Sequence, residues 1–443
     1  MNQTREMAAV IDIGTSTVRA IVGRLTPDRK LDVLAFNEVM SKGVRNGVVV
    51  NIDEAAQAIQ TAVSSLERDL KIKIKKIFAG ISGQKISTRK YSCYRPTENG
   101  VVTEAIIRSL VEEARKHAVN SGEIGYHVIP QDYSVDGEKG VENPVGMSGR
   151  RIEAMYNVIV ASENYEQNLR RSLGNAGYEL AGVFVNAYVQ GDAYLSRDER
   201  EAGVVLIDFG AGTTGVSLYF ENVLRLACEL PFGGNVISTD IREGCSIIPR
   251  HAEMVKKQCG FAFSELAPEN KVAQIPEVDG WPAKEISFKN LSGIIQARLE
   301  EILDGVNFQL ESTGLVNRLG AGVVITGGGS HMRGIDKLVS FITGLEVRTG
   351  KPVIAMKEEL FNEKLRTPEM ANVMGLLLSA IKANALSKNT LGLVESAEER
   401  VIQSAAPTTK KAEGGIRQKM TSIFGKAKDG FNGLLSDEDN EIE

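Results

Sequence analysis

The chain is poor in the residues that build metal and redox centres. Its 443 residues include only 4 cysteines and 4 histidines. Cys93, Cys228, Cys245 and Cys259 form no C-x-x-C pair, and His117, His127, His251 and His331 show no metal spacing. Neither a disulfide framework nor a zinc site is expected; buried thiols in a reducing cytosol are, with the histidines at surface or core positions. Long apolar runs are missing too. The richest, MANVMGLLLSAI from Met370, is too short to cross a bilayer and reads as a buried helix. Residues 1–10 are polar and merge into a first strand, so no secretory leader is expected and the body should be cytoplasmic. Nor is there an excess of positive charge. The net charge of -5 argues against bulk nucleic-acid binding. What remains, 42% hydrophobic and 25% charged residues, is ordinary for a globular chain, long enough for roughly two to four cored domains or subdomains.

One pattern is written twice. Ala9–Gly23 reads AVIDIGTSTVRAIVG and Val204–Phe220 reads VVLIDFGAGTTGVSLYF. In each, β-branched residues lead into an aspartate (Asp12, Asp208), a glycine follows two residues on (Gly14, Gly210), then small hydroxyl residues, then another strand-like run. Each copy predicts a hairpin whose turn carries backbone N–H groups and hydroxyls. Small residues allow close approach and clustered N–H dipoles suit phosphate oxygens. One carboxylate from each copy could face a Mg2+ on those phosphates, directly or through water. Two copies imply two similar halves with a nucleotide between them. The plainer alternative is two Gly-bearing hairpins whose aspartates only bond their own turns.

Between and after the hairpins the pattern predicts a strand LDVLAFNEVM, a helix from Asp53 with Asp53 as its cap, and a strand over IKIKKIFAGIS. A polar, Gly-rich α+β segment follows, holding the helix TEAIIRSLVEEARKHAV. After the second hairpin come a mixed segment with the helix RHAEMVKKQCG and the lone Trp281, a long helix from Ser292, and the strand GVVI, which runs into Thr326-Gly327-Gly328-Gly329-Ser330. A glycine turn between strand and helix lets backbone lie against a purine and ribose. It is neither G-x-G-x-x-G nor a P-loop, because Met332 stands where the last glycine would fall and Gly350-Lys351 lacks its partner glycine.

Hairpin, insertion, connecting helix, second hairpin and GGGS turn, in this order, resemble the actin, Hsp70 and sugar-kinase ATPase superfamily. Within it the chain is most similar to the FtsA family of bacterial cell-division proteins, over roughly residues 6–385 plus the tail. The matching runs are AVIDIGTSTVRAIVG, SRDEREAGVVLIDFGAGTTGVSLY, LPFGGNVISTDI, AEMVKKQCG and VVITGGGSHMRGI. The resemblance implies an α/β, duplicated ribonuclease-H-like (actin-like) fold with an inserted α+β subdomain. It implies ATP and Mg2+ as ligands, with at most weak ATPase activity. Asp12 and Asp208 would hold the metal through water; Gly14, Thr15, Ser16, Gly210, Ala211, Gly212, Thr213 and Thr214 would cradle phosphates, and Arg19 would reach them. Glu253 and Lys256, i,i+3 on one helix, would meet the ribose or adenine edge with Gly327, Gly328, Gly329 and Ser330; their plainer reading is a solvated ion pair. For orienting the attacking water the corresponding segment offers Gln190 and Asp192, which could equally cap or face solvent.

Some eighty residues separate KKIFAGIS from YEQNLRRSLGNAGYE. FtsA-like proteins are similar in carrying an extra subdomain there, one that contributes to self-association and to contacts with later division proteins. The implied division is a first half over 6–83 and 165–199, an SHS2-like insertion over 84–164, and a second half over 200–231 and 300–352. The mixed segment 232–299 would meet FtsZ, and residues 353–385 would return to the first half. A linker over 386–413, an amphipathic helix over 414–435 and an acidic tail over 436–443 complete the chain.

The linker is rich in Ser, Ala, Thr, Glu and Lys and cannot bury a core. Beyond it Ile416, Met420, Ile423, Phe424, Ala427, Phe431, Leu434 and Leu435 fall on one helical stripe, flanked by Arg417, Lys419, Lys426 and Lys428. A basic amphipathic helix on a tether fits anionic membrane lipid; docking into a protein groove has the same signature. The reading is an ATP-binding protein that self-associates and tethers FtsZ filaments to the inner face of the membrane at the division septum. The rival is a sugar-kinase-type phosphotransferase on the same fold, for which a membrane helix would be idle.

Overall fold

The computed structural model describes residues 7–97, 99–277, 282–357, 362–386 and 394–396. The chain divides into residues 1–399 and 400–443, and all of the second unit lies outside the described residues. The stripe Ile416, Met420, Ile423, Phe424, Phe431, Leu434 and Leu435, the acidic tail, most of the linker and Trp281 therefore lie outside them as well.

Two five-stranded sheets carry the body. The first holds β1 (Ala8–Ile13), β2 (Thr17–Leu25), β3 (Leu31–Met40), β4 (Lys76–Ile81) and β5 (Glu179–Val185) in the order β5-β4-β1-β2-β3. The second holds β6 (Val204–Phe209), β7 (Thr214–Phe220), β8 (Val223–Leu230), β9 (Val323–Thr326) and β10 (Val347–Thr349) in the order β8-β7-β6-β9-β10. Strand for strand these are one arrangement: an antiparallel meander of three, then two parallel strands added beside its first. Every residue of β1 and β6 is buried. Helices cover both faces of a central strand in such a sheet, which is why these strands read as unbroken apolar runs rather than alternating ones.

The helix Ile52–Leu70 packs on the first sheet through Ala55, Ile59, Ala62, Val63 and Leu66. Its cap is Asn51, whose side chain accepts from the N–H groups of Asp53 and Glu54 at 3.2 Å. Asp53, the expected cap, sits inside the first turn, where its charge suits the helix dipole. The expected single strand over IKIKKIFAGIS breaks at Lys75 into Ile72–Ile74 and β4. Ile72–Ile74 instead pairs antiparallel with Val394–Ser396. The first part of the expected tether therefore includes a short strand, supplied to an otherwise open edge.

The inserted segment has its own core. Strands Ser87–Pro96, Arg151–Ser162 and Glu123–Val135 form a sheet in that order, and the helix Glu104–His117 packs on it through Leu110 and Ala114. This sheet docks on the exposed edge of β8. The Thr88 hydroxyl both donates to Ala227 O and accepts from Ala227 N at 2.8 Å, and Asn157 Nδ2 donates to Arg225 O at 2.8 Å. Side chains thus occupy ladder positions that another strand would otherwise take.

The helix Ala371–Leu386 returns to the first sheet and is largely apolar, with Val373, Met374, Leu376, Leu377 and Ala380 fully buried. It crosses the helix Asn186–Tyr194 at Gly375, where an added Cβ would overlap the Val189 carbonyl and lie 2.7 Å from its carbon. Backbone cannot yield as a side-chain tip can. Gly375→Ala is therefore expected to destabilise the chain by about 1–3 kcal/mol, the usual cost of overpacking. A thermal midpoint equal to the unsubstituted chain's would contradict this close crossing.

Candidate functional site

The two repeated turns close alike. Gly14 N donates to Thr17 O at 3.0 Å, and Gly210 N donates to Thr213 O at 3.0 Å. They also face each other: a Cβ on Gly212 would overlap the Thr15 hydroxyl and stand 2.8 Å from Asn46 Cα. The Thr15 hydroxyl is fixed by the Gly47 N–H at 2.8 Å. Between the turns lies a cavity of about 500 Å³. Its walls include both turns, the helix Pro249–Cys259 and the glycine turn after β9.

Two buried carboxylates, Asp12 and Asp208, stand at the cavity floor, and one helix holds both. Asn186 and Gln190 are one turn apart on Asn186–Tyr194. Asn186 Nδ2 donates to Asp12 Oδ1 at 3.0 Å and Gln190 Nε2 to Asp208 Oδ2 at 2.8 Å. Asn372 Nδ2 adds a bond to Asp208 Oδ2 at 3.1 Å. Neutral amides orient the carboxylates without neutralising them. Burial pushes the Asp12 carboxyl upward against the pull of Arg19. Burial raises Asp208 to about 6, with repulsion from Asp12 adding to it and the Gln190 hydrogen bond opposing it.

A third carboxylate, Glu229, is not singled out by the sequence pattern. It is 5% exposed, lines the same cavity, and accepts from Gly83 N at 2.7 Å; the Ser82 and Thr213 hydroxyls also reach it. Burial raises it to about 8, and Asp208 adds repulsion. The sheet register explains its place. Asp208 pairs with Gly215 across β6 and β7, and Gly215 pairs with Glu229 across β7 and β8. Directly paired residues point to one face, so Glu229 looks at Asp208 across a glycine. The first sheet has Asp12, Arg19 and Glu38 in the same row. There Arg19 fills the middle place and pairs with Glu38 at 2.6 Å.

The structure brings most of the sequence-predicted residues to this cavity. Gly14, Thr15, Ser16, Arg19, Gly210, Ala211, Gly212 and Thr213 line it, as do Glu253, Lys256 and Gly327 to Gly329. Arg19 is held on both sides, donating to Glu38 and, at 3.0 Å, to Glu369 O. Lys256 is no solvated surface cation. It is 8% exposed, and its ammonium meets Gly234 O, Ser238 Oγ and Glu253 Oε2 at 2.7–2.8 Å. Only Gly328 of the three glycines faces open space. A Cβ on Gly327 would overlap the Asp208 carboxylate, and one on Gly329 would stand 2.7 Å from Phe209 Cβ, so these two are needed for packing on the second hairpin.

Four residues stand apart from the cavity wall. The Thr214 hydroxyl bonds Phe232 O at 2.8 Å and the Ser330 hydroxyl bonds Gly327 O at 2.7 Å. Gln190 is 1% exposed, with its amide engaged by Asp208, Asn372 and Thr326. Asp192 points away, paired with Arg200 and Lys382. Residues the pattern missed include Asn186 and Asn372 beside the aspartates, and His331 with Glu369, joined at 2.6 Å at the cavity rim. A signal existed for Asn186, which stands one helical turn before Gln190.

The raised carboxylates set a pH dependence of stability. Glu229 is ordinary in the unfolded chain, near 4.5, and about 8 when folded. Between those values the folded chain binds more protons, so its stability falls as pH rises, and the loss is complete above about pH 8. The effect is on the order of a few kcal/mol. Glu229→Gln is expected to raise the melting temperature of the nucleotide-free protein at pH 9 by several degrees and to flatten its profile below pH 8. Equal melting temperatures at pH 9 would contradict a strained, uncompensated carboxylate.

A family model for the SHS2 domain inserted in FtsA matches residues 83–160, and one for cell division protein FtsA matches residues 205–375. The chain is 32% identical over 385 residues to cell division protein FtsA of Neisseria meningitidis serogroup B, covering 86% of this chain and 92% of that one. It is 30% identical over 399 residues to the FtsA of Pseudomonas aeruginosa, covering 90% and 95%. Among solved structures, the PilM–PilN type IV pilus biogenesis complex aligns with a TM-score of 0.58 at 16% identity, over 84% of this chain and 98% of that one. MreB5 of Spiroplasma citri bound to ADP aligns at 0.53 and 15% identity, over 86% and 98%. Duplicated sheets, the inserted subdomain and full-length relatives converge: the chain has an actin-like fold and belongs to the FtsA family of cell-division proteins.

Proposed function

We propose that this division protein binds ATP with Mg2+ between its two halves and tethers FtsZ filaments to the cytoplasmic face of the cell membrane at the septum. The observation that carries the nucleotide reading is the pair of alike turns facing each other over Asp12 and Asp208. Neighbours of the same fold support it, since MreB5 is described bound to ADP and to AMPPNP.

The residues fit a hard cation. Asp12 and Asp208 are buried, close enough to repel, and hydrogen-bonded only by amides, with the Arg19 guanidinium as the one cation that draws on both. Among the described residues no group of three or more His, Cys, Asp or Glu could hold a metal. Mg2+ would therefore take these two carboxylates, directly or through water, plus phosphate oxygens, as it commonly does. Bound there it would neutralise charge on the phosphates. The N–H groups and hydroxyls of Gly14 to Ser16 and Gly210 to Thr213 would receive the phosphates. Ile237, Leu299, Ile302 and Met332 offer an apolar wall for the base, beside Glu253, Lys256 and the Gly327–Gly329 backbone.

Closure of the halves on nucleotide would shift surfaces used in self-association, a change of population between two states. The divisions drawn from the sequence assign self-association and later division proteins to 84–164, FtsZ contact to 232–299, and lipid contact to 414–435. Membership in a division family gives the sugar-kinase alternative no support.

Two measurements test this. Calorimetry should find Mg2+-dependent ATP uptake that weakens at least about tenfold, or about 1.4 kcal/mol, in Asp12→Asn and Asp208→Asn; unchanged affinity in both would refute the site. Full-length protein should sediment with vesicles containing anionic phospholipid while a chain lacking residues 414–443 stays in solution. Equal behaviour of the two would remove the anchor.

A further inference from the structure

The carboxylates lining the cavity are not equivalent. Glu253 is paired with Lys256 and Lys257, and Glu369 with His331. Asp12 and Asp208 are the candidate metal ligands. Glu229 alone faces the cavity with only neutral donors around it: the Gly83 N–H and the hydroxyls of Ser82 and Thr213. Thr213 belongs to the second turn. Ser82 accepts from Asn186 at 2.9 Å, and Asn186 also holds Asp12. Glu229 is therefore tied directly to the second turn through Thr213, and to Asp12 of the first hairpin through Ser82 and Asn186.

The duplication sharpens the point. In the first sheet the row Asp12, Arg19, Glu38 is closed by a guanidinium in its centre. In the second, Gly215 takes that centre and leaves an opening between Asp208 and Glu229. A Cβ at Gly215 would meet only Asp208 Cβ at 3.6 Å and Ala187 Cβ at 3.9 Å. Glycine is thus not forced there by packing; what it provides is space beside a carboxylate. Gln190, whose amide is engaged on every side, cannot offer the same.

We propose that Glu229 is a catalytic residue that orients and deprotonates the water attacking the terminal phosphate of bound ATP. This rests on the nucleotide reading above. The water oxygen forms the new bond to phosphorus as the bond from phosphorus to the leaving diphosphate oxygen breaks. That oxygen keeps the electron pair, and the water proton passes to the Glu229 carboxylate, giving ADP and inorganic phosphate. A cation held by Asp12 and Asp208 would lower the electrostatic cost of an ionised Glu229.

The test compares full-length wild type, Glu229→Gln and Glu229→Ala, each measured for MgATP affinity by calorimetry and for single-turnover phosphate release. Both variants should bind within about fivefold of wild type, and phosphate release should fall at least about a hundredfold. The proposal is overturned if Glu229→Gln releases phosphate less than tenfold slower than wild type. It is also overturned if both variants lose ATP, which would make Glu229 a binding residue, or if wild type binds ATP and releases no phosphate. A wild type that takes up no ATP at all instead removes the nucleotide reading itself.

Discussion

Like charge buried at the seam of two halves is the constraint on which this molecule turns. Asp12 ends the first strand of one half and Asp208 the first strand of the other, with Glu229 level with Asp208 in the sheet. Removing carboxylates from water is costly, and placing them near one another adds repulsion. The protein meets this mainly with amides, and with one cation, Arg19, that is itself paired to Glu38. Asn186, Gln190 and Asn372 orient the oxygens without adding positive charge. Buried carboxylates held in this way suit the cation of the metal–nucleotide proposed above.

The seam also connects distant parts of the chain. The segment Ser82–Ile86 leaves β4 at the cavity and enters the inserted sheet. On its way Gly83 N bonds Glu229, and Ile86 O accepts from Glu229 N at 3.3 Å. The inserted sheet then lies along the β8 edge through Thr88 and Asn157. Strand β8 therefore carries a cavity carboxylate and the docking edge of the subdomain.

Much of this was legible in the chain. Asp, x, Gly in two β-rich settings predicts alike turns, and Arg19 and Gly215 both stand seven residues beyond their aspartates, so even the cross-strand partner could be counted. The buried helix after Met370 follows from its composition alone. Other features were not legible. Asn51 rather than Asp53 caps its helix because an asparagine reaching two N–H groups outcompetes a residue already inside the turn. Glu229 looks like one acidic residue before LPFGG until the register sets it opposite Gly215. Gln190 and Asp192 read alike in sequence, yet two residues along a helix turn one toward Asp208 and the other to Arg200 and Lys382.

The central claim is that one metal–nucleotide sits between the two turns. Crystals grown with Mg2+ and a slowly hydrolysed ATP analogue test it most directly. The account predicts a metal between Asp12 and Asp208 and phosphates against Gly14–Ser16 and Gly210–Thr213. Nucleotide bound elsewhere, with the two aspartates facing only protein, would contradict it.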